Sequence, residues 1–468
     1  MHEAGHGPSP FDVAIIGGGP AGQAAALVLA EAGARVAVLD EQLRPGGQIL
    51  RQPPREFVLP RWMRGPTYRP LRKQLAAFEA QSALQWYGGH SVIAIEGECD
   101  AFALITTSGA GATRIGARRV LIAAGCYDLP AMVPGWTLPG AMGAGGLQAL
   151  IKSQGVMPGG RIALAGTHPL MLIVATQILA AGGQVAGVLF EQPFATLFRT
   201  AAGMLAQVAT NSGPLRDATM AITQLWKAGV PVRFGQQLHA IDGRARVERL
   251  RLVDSAGRDA VIECDAVGLC YGFLPQSDLV RQAGLDVRWA APAGGWAAAH
   301  DDWLRSSIAG IAVAGETTGV AGAPAALQAG RIAGAGLAAD LGLIDQAAAE
   351  AIRRPADRAW RRARRFAAHL DRLADPSSAL RRLAGANTIC CRCEDVDSAR
   401  LREAIAAAPD PNAVKLATRC GMGLCQGRSC EHMLIRMVAE HRRLDPGEIR
   451  PFTSRFPARP TPIGDLIA

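Results

Sequence analysis

The sequence predicts an α/β fold built from two βαβ units, one inserted into the other, with a small helical module at the C-terminus. Two apolar, strand-like runs, at 11–16 and 161–166, each lead into a glycine-containing turn, a helix-forming stretch and another apolar run. A further apolar strand at 308–314, followed by a Gly/Ala-rich helix, indicates that the first unit is completed only after the second. Most of the cysteines fall within 387–435, which marks the third module.

The composition limits the possible classes of function. The net charge is +9, and arginine supplies nearly all of the positive charge. No nucleic-acid-binding motif accompanies that charge, so we expect no nucleic-acid partner. The chain shows neither a leader-like N-terminus nor an apolar run of the roughly 20 residues that span a bilayer. We therefore predict a cytoplasmic protein with at most peripheral membrane contact, whose cysteines serve metal or redox chemistry.

The turn after the first strand has the spacing G-x-G-x-x-G, which binds dinucleotides when it joins a strand to a helix. Gly17 permits a tight turn, Gly19 lets the backbone approach a pyrophosphate, and Gly22 lets the helix pack on the strand. The helix N-terminus offers unpaired N–H groups to the phosphates. Asp40, after the second strand, can accept hydrogen bonds from the adenosine ribose. The predicted cofactor contacts here are Gly17, Gly19, Pro20, Ala21, Gly22, Asp40 and Glu41.

Three later segments, 45–48 (PGGQ), 120–125 (VLIAAG) and 311–316 (IAVAGE), add further motifs. Together with the glycine loop they resemble the FAD-dependent pyridine nucleotide–disulfide oxidoreductases in a thioredoxin-reductase-like layout. The resemblance implies bound FAD and two Rossmann-like domains. Ala124 stands where the family has Thr, and Glu316 where it usually has Asp. The further FAD contacts implied are Gly47, Gln48, Ala124, Gly125, Gly315, Glu316 and Ala325.

This layout predicts that the chain is divided into four parts. We predict an FAD-binding domain at 1–155 and 292–345, an inserted NAD(P)-binding-like domain at 156–291, an Arg-rich helical linker at 346–386, and a cysteine module with a C-terminal tail at 387–468. Within the linker, the pattern indicates one or two exposed helices. Their arginines form either a solvated face or a docking surface for a partner subunit.

The second nucleotide loop departs from the dinucleotide-binding pattern. His168 occupies the middle position, where a glycine is needed, so an imidazole would crowd a pyrophosphate. Glu191 after the next strand would repel a 2′-phosphate. We predict a retained fold without NAD(P)H turnover, and a bound but non-reacting adenine nucleotide is the open alternative. The inserted domain has no C-x-x-C, which argues against thioredoxin-type disulfide chemistry, and Cys126, Cys264 and Cys270 are interpreted as small core residues.

The C-terminal module offers the spacings C-x-C and C-x-x-x-x-C, which supply four thiolates for either [2Fe-2S] or Zn²⁺. The segment GMGLCQGRSC resembles the [2Fe-2S] domain of the bacterioferritin-associated ferredoxins in the version fused to FAD subunits. That resemblance implies the ligands Cys391, Cys393, Cys425 and Cys430. It leaves Cys390 and Cys420 outside the ligand pattern.

Taken together, the segments resemble the larger FAD subunit of multi-subunit amine and imino-acid dehydrogenases, the group of opine oxidase, D-hydroxyproline dehydrogenase and hydrogen cyanide synthase. GGQILRQPP at 46–54 and PGWTLPG at 134–140 are typical of it. The resemblance implies a partner β-subunit with a D-amino-acid-oxidase-like fold and its own FAD. It also allows for a small ferredoxin-like γ-subunit and for an FMN at a subunit interface.

We therefore predict an oxidoreductase subunit for CH–NH or CH–NH₂ donors that relays electrons from the partner flavin to an acceptor. The catalytic residues are unknown, because no histidine has recognisable triad or metal spacing. A stand-alone NADH-dependent flavin/[2Fe-2S] reductase is the alternative, and the state of the second nucleotide loop distinguishes the two. A redox-sensing iron–sulfur module is a third interpretation, disfavoured by the nearly complete FAD motif set.

Overall fold

A computed structural model describes residues 10–58, 68–196, 212–383, 385 and 387–467. The strands, numbered in chain order, are β1 Phe11–Ile16, β2 Val36–Asp40, β3 Leu84–Gly88, β4 Ser91–Glu96, β5 Phe102–Ser108, β6 Gly111–Ile122, β7 Cys126–Asp128, β8 Ala141–Gly143, β9 Arg161–Gly166, β10 Gln184–Phe190, β11 Val232–Phe234, β12 Gln237–Asp242, β13 Arg249–Val253, β14 Asp259–Glu263, β15 Ala266–Cys270, β16 Phe273–Pro275, β17 Val287–Trp289, β18 Trp296–Ala298, β19 Ile311–Val313, β20 Ile389–Cys391 and β21 Val396–Asp397.

The α-helices are numbered in the same way. They are α1 Pro20–Glu31, α2 Arg69–Glu79, α3 Ala144–Ala149, α4 Leu170–Ala180, α5 Ser212–Lys227, α6 Asp278–Gln282, α7 Ala323–Asp340, α8 Gln346–Leu373, α9 Ser377–Leu383, α10 Ser398–Ala407, α11 Pro411–Thr418, α12 Glu431–Arg442 and α13 Ile463–Ile467. A single π-helical turn, Leu150–Gln154, directly follows α3.

The first sheet has the strand order β3-β2-β1-β6-β5-β4, and β19 pairs with β6. β1 pairs in parallel with both β2 and β6, because its Val, Ala and Ile side chains are buried on both faces. Helices α1 and α7 pack closely, since a Cβ at Gly330 would lie 2.0 Å from the Ala21 carbonyl oxygen. The late return of β19 and α7 to this sheet agrees with the predicted inserted topology.

The second sheet, β11-β10-β9-β15-β8, is parallel in every pair. It includes β8, which lies before the residue at which the sequence placed the start of the inserted domain. An antiparallel sheet, β12-β13-β14, accompanies it. The α/β fold class with two Rossmann-like sheets is confirmed, whereas the domain boundaries remain predictions.

The Arg-rich stretch forms two helices, α8 and α9. Along α8 the small residues Ala349, Ala356 and Ala367 are buried, while charged residues lie outside them. Several arginines pair within the helix, for example Arg361 with Asp357 at 2.8 Å. The predicted exposed helices are therefore exposed on one side only.

The cysteine module packs against the rest of the molecule through one shared apolar core that includes Trp136 and Phe452. The Trp136 indole Nε1 donates to the Ile389 carbonyl at 2.7 Å, so a hydrogen bond joins the start of the cysteine module to the segment that precedes the second sheet. Beyond the module, the Ala458 N–H donates to the Ile93 carbonyl beside the first sheet. None of the helices in the described ranges is long and apolar enough to cross a membrane.

Candidate functional site

The first glycine loop is constrained by its own backbone. Gly17 has φ +108°, and a Cβ there would lie 2.3 Å from the Ala123 carbonyl oxygen. A Cβ at Gly22 would lie 1.9 Å from the Gly17 carbonyl oxygen, so the turn and the first turn of α1 are in direct contact. Gly19 is different, because the nearest atom to its Cβ position is the Gly47 Cα at 3.7 Å. The open side of Gly19 lies at the N-terminus of α1, where a diphosphate can approach.

Asp40 lies beside this loop at the end of β2. One carboxylate oxygen accepts from the Gly18 N–H at 2.7 Å, and the other accepts from the Gln42 N–H at 2.8 Å. Burial raises the pKa of the Asp40 carboxyl. Glu41 points elsewhere, since its carboxylate is paired with Arg459 of the C-terminal segment.

The other predicted flavin residues gather around the same helix end. Gly47 has φ +59°, and a Cβ there would lie 2.7 Å from the Gly19 Cα. Gly315 has φ +70° and faces Ala21. The Gly125 N–H donates to the Thr317 hydroxyl at 3.2 Å, and Ala325 is buried in the first turn of α7. The segments that the sequence places on FAD therefore meet at one place in the fold.

Glu316 is half-buried near this place and accepts from the Gly322 N–H at 2.7 Å. The Cys126 thiol also contacts the Glu316 carboxylate. Burial raises the pKa of the Glu316 carboxyl and of the Cys126 thiol. The interpretation of Cys126 as a small core residue is therefore wrong, because Cys126 is partly exposed and its thiol contacts a carboxyl group. Cys264 and Cys270 are buried, as predicted.

The second glycine loop is covered by the chain itself. The Thr167 hydroxyl donates to the Ala374 carbonyl at 2.7 Å, and the Gln192 amide donates to the Leu373 carbonyl at 2.8 Å. Arg382 of α9 is paired with the carboxylate of Glu191. The junction of α8 and α9 thus packs over this loop and leaves a cavity of about 270 Å³ beside His168, an arrangement that the sequence pattern alone did not reveal.

The backbone N–H groups of the second glycine loop also form hydrogen bonds within the protein. The Thr167 and His168 N–H groups both donate to the Cys270 carbonyl, at 2.9 and 3.0 Å. The His168 Nδ1 accepts from the Leu170 N–H at 3.1 Å, and its ring meets Phe273 edge to face. Burial lowers the pKa of His168 to about 4, so the ring is neutral near pH 7. Backbone groups that would bind a second pyrophosphate are therefore used within the protein.

The C-terminal cysteines form a buried group and an adjacent outer pair. The Sγ atoms of Cys391, Cys420 and Cys430 all lie within 4.8 Å of one another. Cys393 is exposed, and its thiol contacts that of Cys425. Sequence reasoning set Cys420 aside, whereas the structure places its thiol within the buried group.

The surroundings of the Cys391 thiol favour negative charge on its sulfur, whereas the pKa values of the Cys393, Cys420 and Cys430 thiols are raised. Hydrogen bonds from the Cys420 and Cys430 thiols, followed by those from backbone N–H groups of Gly421 and Glu394, lower the pKa of the Cys391 thiol to about 2. Thiolates are the form that binds iron or zinc. By contrast, burial raises the pKa of the Cys390 thiol to about 12, and this thiol points to the Thr388 carbonyl.

Glycines allow the loop to approach the thiols. A Cβ at Gly423 would lie 2.3 Å from the Cys393 Cβ, and a Cβ at Gly421 would lie 2.4 Å from the Phe452 ring. The loop is therefore held against Cys393 on one side and against Phe452 on the other. Four or more convergent thiols with nearby N–H donors fit a [2Fe-2S] cluster, and they also fit Zn²⁺.

The sequence profile of the pyridine nucleotide-disulphide oxidoreductases matches residues 11–330. The chain belongs to this family of flavoprotein oxidoreductases, which implies that the first glycine loop binds FAD. The open Gly19, the half-buried Asp40 and the convergence of Gly47, Gly125 and Gly315 fit that cofactor.

More particular relatives extend over nearly the whole chain. The chain is similar to an opine oxidase subunit of Rhizobium meliloti, with 36% identity over 462 residues, covering 97% of this chain and 87% of that protein. It is 32% identical over 465 residues to hydrogen cyanide synthase subunit HcnB of Pseudomonas aeruginosa, covering 96% and 97%. The fold resembles L-proline dehydrogenase from P. horikoshii, with a TM-score of 0.70, 20% identity, and 100% and 81% coverage. The resemblance to this group of subunits is confirmed.

Proposed function

We propose that this chain is the FAD- and [2Fe-2S]-containing subunit of a hetero-oligomeric dehydrogenase that oxidises an amino acid, an imino acid or an opine. A D-amino-acid-oxidase-like partner subunit oxidises the substrate at its own FAD, and this chain relays the electrons to an acceptor. The observation that carries the proposal is that one chain combines a flavin-nucleotide loop with a group of three buried thiols and an adjacent thiol pair, while its second nucleotide loop is contacted by its own helices.

Each part has a role in the relay. Flavin takes up electron pairs and a [2Fe-2S] cluster passes single electrons, so a chain that holds both converts between the two. The first glycine loop and Asp40 bind and orient the flavin nucleotide. Cys391, Cys393, Cys425 and Cys430 would hold the cluster, and the Cys420 thiol, which lies within 4.8 Å of those of Cys391 and Cys430, would be available as a further ligand or hydrogen-bond donor. Substrate oxidation is assigned to the partner by the family resemblance, and His168 is not available as a base in this chain, because its ring is neutral and occupied by contacts within the protein.

The partner surface is proposed at the Arg-rich helix α8. A cleft of about 520 Å³ opens there, and Arg364 stacks on the Trp360 ring with its guanidinium carbon 4.8 Å from the ring centroid. Burial and the nearby Arg288 charge lower the pKa of Arg364, so an anion in the cleft would relieve the repulsion. This cleft is suited to the phosphate of the interface FMN that the family resemblance allows. Its polar and aromatic lining includes Arg288, His300, Asp302, Trp360, Arg361, Arg364 and Arg365.

The alternative, a stand-alone NADH-dependent reductase, requires an open second nucleotide loop. The contacts of Thr167, Gln192 and Glu191 with the α8–α9 junction count against it. They count equally against the non-reacting adenine nucleotide at that loop.

Reconstitution tests the proposal. The chain alone, the partner flavoprotein alone and their mixture are assayed with a dye acceptor and a panel of opines, D-hydroxyproline and glycine. Iron, acid-labile sulfide, FAD and FMN are measured on the same samples. We expect activity only in the mixture, with FAD and two irons bound to this chain. Turnover of an amine by this chain alone at the rate of the complex would reject the relay, and zinc in place of iron would reject the cluster.

A further inference from the structure

Lys152 is a buried lysine in the π-helical turn after α3. It is only 3% exposed, although lysine is almost never buried without a counter-charge. Its Nζ donates to the Gln48 carbonyl at 3.0 Å and to the Ile49 carbonyl at 3.3 Å. Within the described ranges no carboxylate pairs with it. Isolated π-helical turns often occur at functional sites.

A second cation lies close to Lys152. The Nε of Arg51 is buried and has no hydrogen-bond partner among the described atoms. Burial, and then the Arg51 charge, lower the pKa of Lys152 to about 7. Arg51 is partly exposed, and its charge also acts on the Asp40 carboxylate. Lys152 is buried with carbonyl partners alone, which indicates that an anion from outside the chain balances its charge.

Both cations lie next to the flavin-nucleotide loop. The Gly46 N–H donates to the Gly18 carbonyl at 2.9 Å, and Gly47 is against Gly19. The two carbonyls that Lys152 binds belong to the residues that follow directly. The diphosphate already has the N-terminus of α1 as its partner, with a partial positive charge and unpaired N–H groups. The remaining anion in such a site is the flavin ring, which gains negative charge when it is reduced.

We propose that Lys152, assisted by Arg51, is a positioning residue that holds the 46–49 segment and stabilises the anionic reduced state of the bound flavin. The inference rests on the proposed binding of FAD at this loop. Positive charge near a flavin ring raises its reduction potential. A relay flavin needs such a bias, because it must accept electrons from another flavin. Lys152 would therefore set the direction of electron flow without touching the substrate.

The test compares Lys152→Met, Lys152→Arg and the exposed control Lys227→Met in the full-length, FAD-loaded chain. The midpoint potential of the flavin is measured anaerobically by dye equilibration, and FAD affinity is measured by titration of the apoprotein. We expect Lys152→Met to weaken binding of reduced FAD roughly tenfold relative to oxidised FAD, which lowers the two-electron midpoint potential by about 30 mV. Lys152→Arg retains most of the potential, and Lys227→Met leaves it unchanged.

Equal weakening of both FAD states, with an unchanged potential, would show that the charge serves the diphosphate and would overturn the inference. An unchanged potential and an unchanged affinity would overturn it as well. If Lys152→Met fails to bind FAD, the midpoint potential of the flavin is measured in Arg51→Gln instead. The inference requires that this variant also lowers the potential. If the unaltered chain binds no FAD, the proposed function fails together with the inference, and that result is visible before any variant is made.

Discussion

Replacement of Arg281 by Met is expected to loosen the cysteine module from the flavin-binding body. Arg281 Nη1 lies 2.7 Å from Glu431 Oε1, and the two side chains are only 12% and 10% exposed. The same Glu431 oxygen accepts from the Phe452 N–H at 2.7 Å. Because the Phe452 ring supports Gly421 and Gly427 of the cysteine loop, the ion pair is linked to the geometry of the cluster ligands.

The magnitude follows from burial. Removing one partner of a buried ion pair leaves the other charge uncompensated and costs about 3–5 kcal/mol. The exposed pair Arg114–Glu96, with side chains 65% and 49% exposed at 3.3 Å, provides the matched control. Replacement of Arg114 by Met should change the free energy of unfolding by about 0–1 kcal/mol, since water and salt screen such pairs.

The assay is urea unfolding of the holoprotein, followed by the visible absorbance of the cluster and, separately, by bound FAD. For Arg281→Met we expect cluster absorbance to be lost at lower urea than in the unaltered chain, together with faster release of iron to a chelator. If Arg281→Met is no less stable than Arg114→Met by either signal, the ion pair does not hold the module and the reasoning from burial is refuted.

Two further predictions concern the second nucleotide loop. NADH and NADPH should reduce the flavin slowly or not at all in anaerobic stopped-flow mixing. The variant His168→Gly should not restore reduction, because the α8–α9 junction still covers the loop. Loss of the flavin absorbance at tens per second after mixing with NADH would support the stand-alone reductase instead. The pKa of His168 is lowered from 6.5 to about 4 in the folded chain, so the stability it contributes is present above about pH 6.5 and is lost as the pH falls toward 4. That loss should amount to roughly 1–2 kcal/mol after allowance for partial solvent access, and thermal unfolding of His168→Phe should be correspondingly less pH-dependent between these values.

The features that the sequence predicted correctly arise from local interactions along the chain. The glycine loop could be identified because a side chain at Gly17 or Gly22 would clash with neighbouring backbone. The same steric restriction applies wherever a strand leads into a helix through this kind of turn. The cysteine ligand pattern could also be predicted, because it consists of short spacings within the sequence. The contacts of Thr167 with Ala374 and of Lys152 with Gln48 join residues about 200 and 100 positions apart, so no spacing or periodicity could show them.

Cys420 and Cys126 show a different limit. Both are isolated in the motif patterns, and each acquires its chemical setting from tertiary structure: Cys420 from the buried thiol group and Cys126 from the Glu316 carboxylate. Glu41, predicted as a cofactor contact from its position beside Asp40, is engaged by Arg459 from the far end of the chain. Its role at the nucleotide therefore stays a prediction.

The central claim is that electrons leave the complex through the cluster of this chain. The most direct measurement is anaerobic reduction of the reconstituted complex by its amine substrate, followed by reoxidation with the natural acceptor, in the unaltered protein, in Cys425→Ser and in the control Cys390→Ser. We predict that substrate reduces the partner flavin equally fast in all three, and that transfer to the acceptor collapses only in Cys425→Ser. Equal transfer rates in Cys425→Ser and the unaltered complex would contradict the account, because the cluster would then lie off the electron path.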